Sequence, residues 1–230
     1  MAKKVNTKEL EVLQQDKLEE NVSKVEEFFK KNKKTISTCF CLAVVVVLGI
    51  MAYNNFVRQP KIKEAQAQAF QAEKFFQEGS FELALNGDGD MLGFEQIAQE
   101  YGSAAGESVY LYGGLCNLQL GNWQAAIDWL KKYSGSDVIL AQRAIAAQGD
   151  ALCGLEKFEE ALAQYQKAAD YAENAYCAEY LLKAGEVAEQ LGSQAKALEL
   201  YKKVKDLYPS TLQGQVIDKY ISRIENAPLN

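Results

Sequence analysis

The chain has 230 residues, with 25 basic and 31 acidic side chains, no histidine, and a net charge of −6. The lack of histidine removes the commonest general base and the usual zinc ligand. No glycine-rich phosphate loop precedes a Lys-Ser or Lys-Thr pair, so the composition points away from catalysis and predicts no cofactor and no metal.

Residues 1–35 read as a cytoplasmic amphipathic arm. Leu18, Val22, Val25 and Phe29 recur at helical spacing, with Lys and Glu around them. Two readings stay open: the arm docks on the inner leaflet or a partner, or it is a solvated extension. It is too long and too mixed in charge for a signal-peptide leader, and no small-residue cleavage site follows it. An uncleaved signal anchor is expected.

The anchor is the stretch 36–57, read as one transmembrane helix. It carries no ionisable group from Thr35 to Val57. Roughly 20 apolar residues at 1.5 Å each cross about 30 Å of hydrocarbon. Lys30, Lys31, Lys33 and Lys34 crowd its amino side, with Lys24 behind them; Arg58, Lys61 and Lys63 make a weaker cluster beyond it. The positive-inside rule keeps the amino terminus in the cytoplasm. Residues 1–35 carry a net +2, whereas the chain from Arg58 onward has 16 basic and 24 acidic side chains, a net −8. An acidic domain disfavours nucleic acid and anionic lipid surfaces. Cys39 and Cys41 lie in the span. Cys116, Cys153 and Cys177 lie beyond it, with no CxxC spacing and an odd count. They read as small apolar fillers, and burial would reconcile free thiols with an oxidising compartment.

Residues 60–226 repeat themselves. Gly114 and Ala126 stand twelve residues apart, as do Gly149 and Ala161, and Gly185 and Ala197. Trp123 and Phe158 stand three before the Ala; Tyr165 and Tyr201 stand four after it, where the first of these units has Leu130. Gly121 and Gly192 stand five before it and supply the turn between two helices. Small residues let antiparallel helices approach, and the aromatics fill the space between neighbouring hairpins. A period of 35 to 36 with this signature belongs to the tetratricopeptide repeat, and Pro209 takes the place of its closing proline. A degenerate unit precedes these, with Ala72, Gly79, Phe81 and Ala84 at the same offsets. Its second helix is interrupted at 86–90 by Asn-Gly-Asp-Gly-Asp and resumes with Phe94, Ile97, Ala98 and Tyr101. The alternating acids lack the Gly and Glu of a calcium loop and read as a turn. Leu212, Val216, Ile217, Tyr220, Ile221 and Ile224 mark a final amphipathic helix. The fold class is therefore all-α: an arm, one transmembrane helix, then a tetratricopeptide-like α-solenoid of three to four hairpins with a C-terminal capping helix. Pro60 suits the first turn of a new helix, ends the membrane rod, and leaves little linker before the first hairpin.

With the Gly of each unit as phase marker, the residues three before and one after it should face a concave surface. These are Leu111 and Leu115, Ala146 and Asp150, and Leu182 and Glu186, flanked by Leu118, Arg143 and Glu179. Such a groove suits an extended or partly unfolded segment. Equally open is that the final helix folds back and fills it. The Lys and Asn residues that clamp a terminal carboxylate in some chaperone adaptors are missing here. Glu156, Glu159 and Glu160 resemble a catalytic carboxylate cluster, but read as the solvated face of a second helix.

The basic arm, the span, the tight junction and the repeat phases together resemble the YfgM-type family of bacterial single-span proteins. The likeness runs from the arm to Pro209. The stretch 81–89, Phe-Glu-Leu-Ala-Leu-Asn-Gly-Asp-Gly, is similar to the first unit of Bacteroidota relatives. The resemblance implies an inner-membrane protein with a periplasmic domain, ancillary to the SecYEG translocon. It also implies partnership with a membrane-anchored periplasmic chaperone of the prolyl-isomerase class and contact with unfolded exported proteins. A general envelope-assembly scaffold and a cytosol-facing organelle import receptor are the alternatives.

Overall fold

The structure, a computed structural model, describes the backbone of residues 7–226 and the side chains of 30–226. The arm's stripe of Leu18, Val22, Val25 and Phe29 lies outside the described side chains. The chain divides into two compact units, Met1–Gln59 and Pro60–Asn230.

In the first unit, α1 (Thr7–Tyr53) contains the apolar run. Its best 18-residue window has a mean hydropathy of 2.5, and none of that window is buried within the protein. Phe40 is 70 % exposed and Ile50 62 %, the opposite of a core helix. By length and composition this helix can cross a membrane. Pro60 has no N–H to give, and its ring crowds the carbonyl one turn back. A single π turn over Asn54–Arg58 precedes it, closed by the Gln59 N–H on the Asn54 carbonyl. Helical backbone continues from this turn into α2 (Gln59–Gln77), so Pro60 lies inside one helical run, Lys30–Gln77, and does not end the rod as its sequence suggests. The π turn accommodates the donor that proline lacks.

The second unit is a run of helical hairpins. α2 pairs with the short α3 (Phe81–Asn86), and after a loop the helix resumes as α4 (Phe94–Tyr101). Asp88 explains the interruption: its Oδ1 accepts from the N–H groups of Asp90 and Met91 at 3.0 and 2.8 Å, so the acids build a turn. Three fuller hairpins follow: α5 (Glu107–Gln119) with α6 (Trp123–Leu130), α7 (Val138–Gly154) with α8 (Phe158–Tyr171), and α9 (Cys177–Gln190) with α10 (Gln194–Leu207). Pro209 ends α10, and α11 (Leu212–Glu225) closes the series, burying Ile217 and Ile221.

All four hairpin turns share one hydrogen-bond motif. Gly79, Gly121, Glu156 and Gly192 each donate to the carbonyl three residues back, and the next N–H reaches the carbonyl five residues back. This arrangement satisfies the orphan carbonyls of the first helix and needs a left-handed residue. The three glycines supply it with φ of 78, 76 and 72°. Glu156 adopts the same conformation at φ 59°, so it sits in the turn and not on the second helix. Replacing Glu156 by glycine is expected to stabilise the protein by about 1 kcal/mol, because the left-handed penalty on a side chain disappears. Chemical denaturation of the two proteins side by side checks it.

The repeated Ala positions, Ala72, Ala84, Ala126, Ala161 and Ala197, are all fully buried. The glycines have the more specific partners. A Cβ on Gly114 would lie 2.6 Å from Leu130, and one on Gly149 would lie 2.8 Å from the Tyr165 ring. One on Gly185 would strike the Tyr201 ring. The residue sixteen on therefore fills its own hairpin, not the gap between hairpins. Trp123 does fill such a gap, lying over Gly154 of the next unit. In the degenerate unit the sixteenth residue after Ala72 is Asp88, within the loop. That hairpin therefore closes without the aromatic.

Cys116 and Cys177 are buried, Cys153 is half-buried, and all are free thiols. Burial pushes the Cys116 thiol up to about 12, so it stays protonated and a poor nucleophile.

Candidate partner-binding face

The first helix of each hairpin shows its outer stripe to one side, and three of these stripes enclose a cleft of about 520 Å³. From α5 come Leu115 and Leu118; from α7, Ile139, Leu140, Arg143, Ala146, Ala147 and Asp150; from α9, Tyr176, Glu179, Tyr180 and Lys183. Its floor is aliphatic. Ile139 and Tyr176 are about half exposed at the rim.

The charges at one end of the cleft satisfy one another. Lys183 Nζ lies 2.8 Å from Asp150 Oδ1 and 3.6 Å from Glu179 Oε1, and the Tyr165 hydroxyl donates to Asp150 at 2.7 Å. Burial pulls the Lys183 ammonium down, but Asp150 and Glu179 outweigh it and hold the group above its ordinary range. Burial and the Asp150 carboxylate push the Tyr165 phenol up, so it remains a donor. Asp150 and Lys183 also border a second cleft of about 870 Å³, walled by Glu186 and Glu189 of α9 and by Tyr220 and Arg223 of α11. The two clefts thus share the Asp150–Lys183 pair as a common border. Arg223 is joined to Glu189 at 2.5 Å, and the same carboxylate accepts from the Tyr201 hydroxyl at 2.5 Å.

This geometry decides what the last helix does. α11 stands as the next wall beside α9 and α10, and none of its described residues lines the smaller cleft. It lines the larger cleft through Tyr220 and Arg223 and contributes nothing to the smaller one. The residues one after each phase glycine, Leu115, Asp150 and Glu186, all line a cleft, as do Ala146, Leu118, Arg143 and Glu179. Leu111 and Leu182 do not. Leu111 is 1 % exposed, buried in a core cluster with Leu130, Ala144 and Ala147, and Leu182 packs against the cluster running through α6–α11.

Seven lining residues of the smaller cleft escape the phase rule: Gln119, Ile139, Leu140, Ala147, Tyr176, Tyr180 and Lys183. Only Lys183 left a trace, its spacing of four from Glu179. Among the described residues, no group of three or more acidic or cysteine side chains is placed to hold a metal ion.

A family model described as Tetratricopeptide repeat matches residues 146–210. The match begins within α7, takes in the Gly149–Tyr165 and Gly185–Tyr201 pairs and ends just past Pro209, so that segment is tetratricopeptide-like. No match is found among curated proteins.

Proposed function

We propose that this tetratricopeptide-repeat chain is a non-enzymatic, membrane-anchored scaffold of the bacterial inner membrane, amino terminus in the cytoplasm and repeat domain in the periplasm. On this reading it is an ancillary subunit of the SecYEG translocon that receives unfolded exported proteins beside a membrane-anchored chaperone of the prolyl-isomerase class. The observation that carries it is the open concave face: an aliphatic floor, a rim of exposed aromatic and aliphatic side chains, and charges largely paired within the fold. Such a surface holds extended backbone with little sequence preference and offers no chemistry of its own. A tether at the channel exit raises the effective concentration of emerging chain, so weak binding is enough. The buried thiols fit an oxidising compartment.

The test is site-specific photocrosslinking in membrane vesicles. Benzoylphenylalanine in place of the groove residue Ile139 should capture a translocation-arrested export substrate and translocon subunits. The same probe in place of Lys167, exposed on α8, should capture neither. No substrate adduct at Ile139 while the substrate is held in the channel defeats the proposal.

A further inference from the structure

The smaller cleft is not uniformly neutralised. Its two carboxylates, Asp150 and Glu179, are both held by Lys183. Arg143 is exposed at the same cleft and has no ion-pair partner within 4 Å among the described residues. Tyr180, one helix across, lines the cleft as well, and its hydroxyl is engaged in no hydrogen bond among those described. Burial and the neighbouring Glu179 push that phenol up to about 12, with the Arg143 charge opposing them, so it is present as a donor. Two donors without acceptors therefore border an aliphatic floor made by Leu115, Leu118 and Leu140.

We infer that Arg143 and Tyr180 form an acceptor-binding subsite that selects an extended polypeptide carrying an Asp or Glu side chain next to an apolar residue. The inference rests on the groove reading given above and adds to it a chemical preference. A guanidinium offers a planar fork matched to a carboxylate, and an aliphatic floor beside it shields the pair from water. The carboxylate is that of a side chain and not of a chain terminus. A second cleft lies against the other side of the Asp150–Lys183 pair, so the face offers a bound segment room beyond the pair and the subsite does not require a chain end. Single acids are favoured over acidic runs. The chain from Arg58 onward has a net charge of −8, and Glu186, exposed in the larger cleft, has no ion-pair partner among the described residues.

The experiment uses the full chain in nanodiscs of zwitterionic lipid and fluorescence anisotropy with end-blocked peptides. The peptides are identical and apolar-rich apart from a central Glu, Gln or Lys; a fourth carries Gln and a free carboxyl terminus. The Glu peptide should bind about tenfold more tightly than the Gln peptide, the size of one charge-assisted contact, with Lys weaker still. Arg143→Glu should reverse the order of Glu and Lys without moving thermal unfolding, since the exposed guanidinium has no partner to lose. Equal binding of Glu and Gln peptides, or tightest binding of the free terminus, overturns this inference and leaves the groove reading intact. An unchanged preference in Arg143→Glu overturns the assignment to Arg143. Binding of no peptide overturns both.

Discussion

Gly185→Ala destabilises the repeat domain, against the usual sign of that substitution inside a helix. Glycine in a helix interior costs up to about 1 kcal/mol relative to alanine, so propensity alone predicts a gain. Here the new Cβ runs into the Tyr201 ring, which is fully buried. The ring has nowhere to go. Its hydroxyl is tied to Glu189, and Glu189 in turn holds Arg223 of α11. Forcing the ring aside strains α9, α10 and α11 together, and overpacking of this kind costs about 1–3 kcal/mol. A net loss of about 2 kcal/mol is expected, read as a lower urea midpoint with an unchanged slope. Tyr201→Leu should recover part of that loss in the Gly185→Ala background, although alone it costs stability. The non-additive cycle identifies the clash itself. A gain in stability from Gly185→Ala would show that the glycine is not there for the ring.

The twelve-residue Gly–Ala interval was legible because a hairpin is a local object, with both helices and the turn inside one period. The facing of each Gly by the residue sixteen on was not, because spacing alone placed the aromatics between hairpins and only the packed helices show the ring on its own hairpin's glycine. The interruption at 86–90 was legible, since turn residues speak for themselves. Leu111 was not. The phase rule treats every outward position alike, but Leu130 of α6 and Ala144 and Ala147 of α7 close over Leu111. A linear period cannot say how much of a stripe the neighbouring units cover. Glu156 shows a second limit: the turn motif is imposed by the backbone and by packing on either side, so the residue yields to the motif. Burial of Cys116 and Cys177 was only an expectation until the helices that cover them were placed.

Gln142 left no signal at all, and its replacement by leucine should be among the most damaging single changes in the domain. The side chain is fully buried in α7. Its Nε2 donates to the Ala168 carbonyl at 3.0 Å and to the Ala172 carbonyl at 2.8 Å, at the end of α8 where helical donors run out. Its Oε1 accepts from Asn174 Nδ2, and Asn174 Oδ1 accepts from the Tyr176 N–H at 2.9 Å. One amide thus fastens α7, the end of α8 and the loop that leads into α9. Leucine keeps the volume and gains apolar burial, yet it strands the Ala168 carbonyl and the Asn174 amide and leaves the Ala172 carbonyl only the Cys177 thiol. Each buried group without a partner costs about 1–3 kcal/mol, so a net loss of about 3 kcal/mol is expected by denaturant titration. Asn174→Ala should then cost little in the Gln142→Leu background, because its partner is already gone. A loss under about 1 kcal/mol would mean that water replaces the amide. The effect should also reach the partner-binding face. Gln142 and Arg143 are neighbours in α7, one fastening it from behind and the other exposed in the cleft between α7 and α9. Loosening the fastening changes the spacing between Arg143 and Tyr180. Peptide affinity should therefore fall in Gln142→Leu even at denaturant-free conditions where circular dichroism reports a folded domain. Unchanged affinity there would show that the cleft holds its width without this amide.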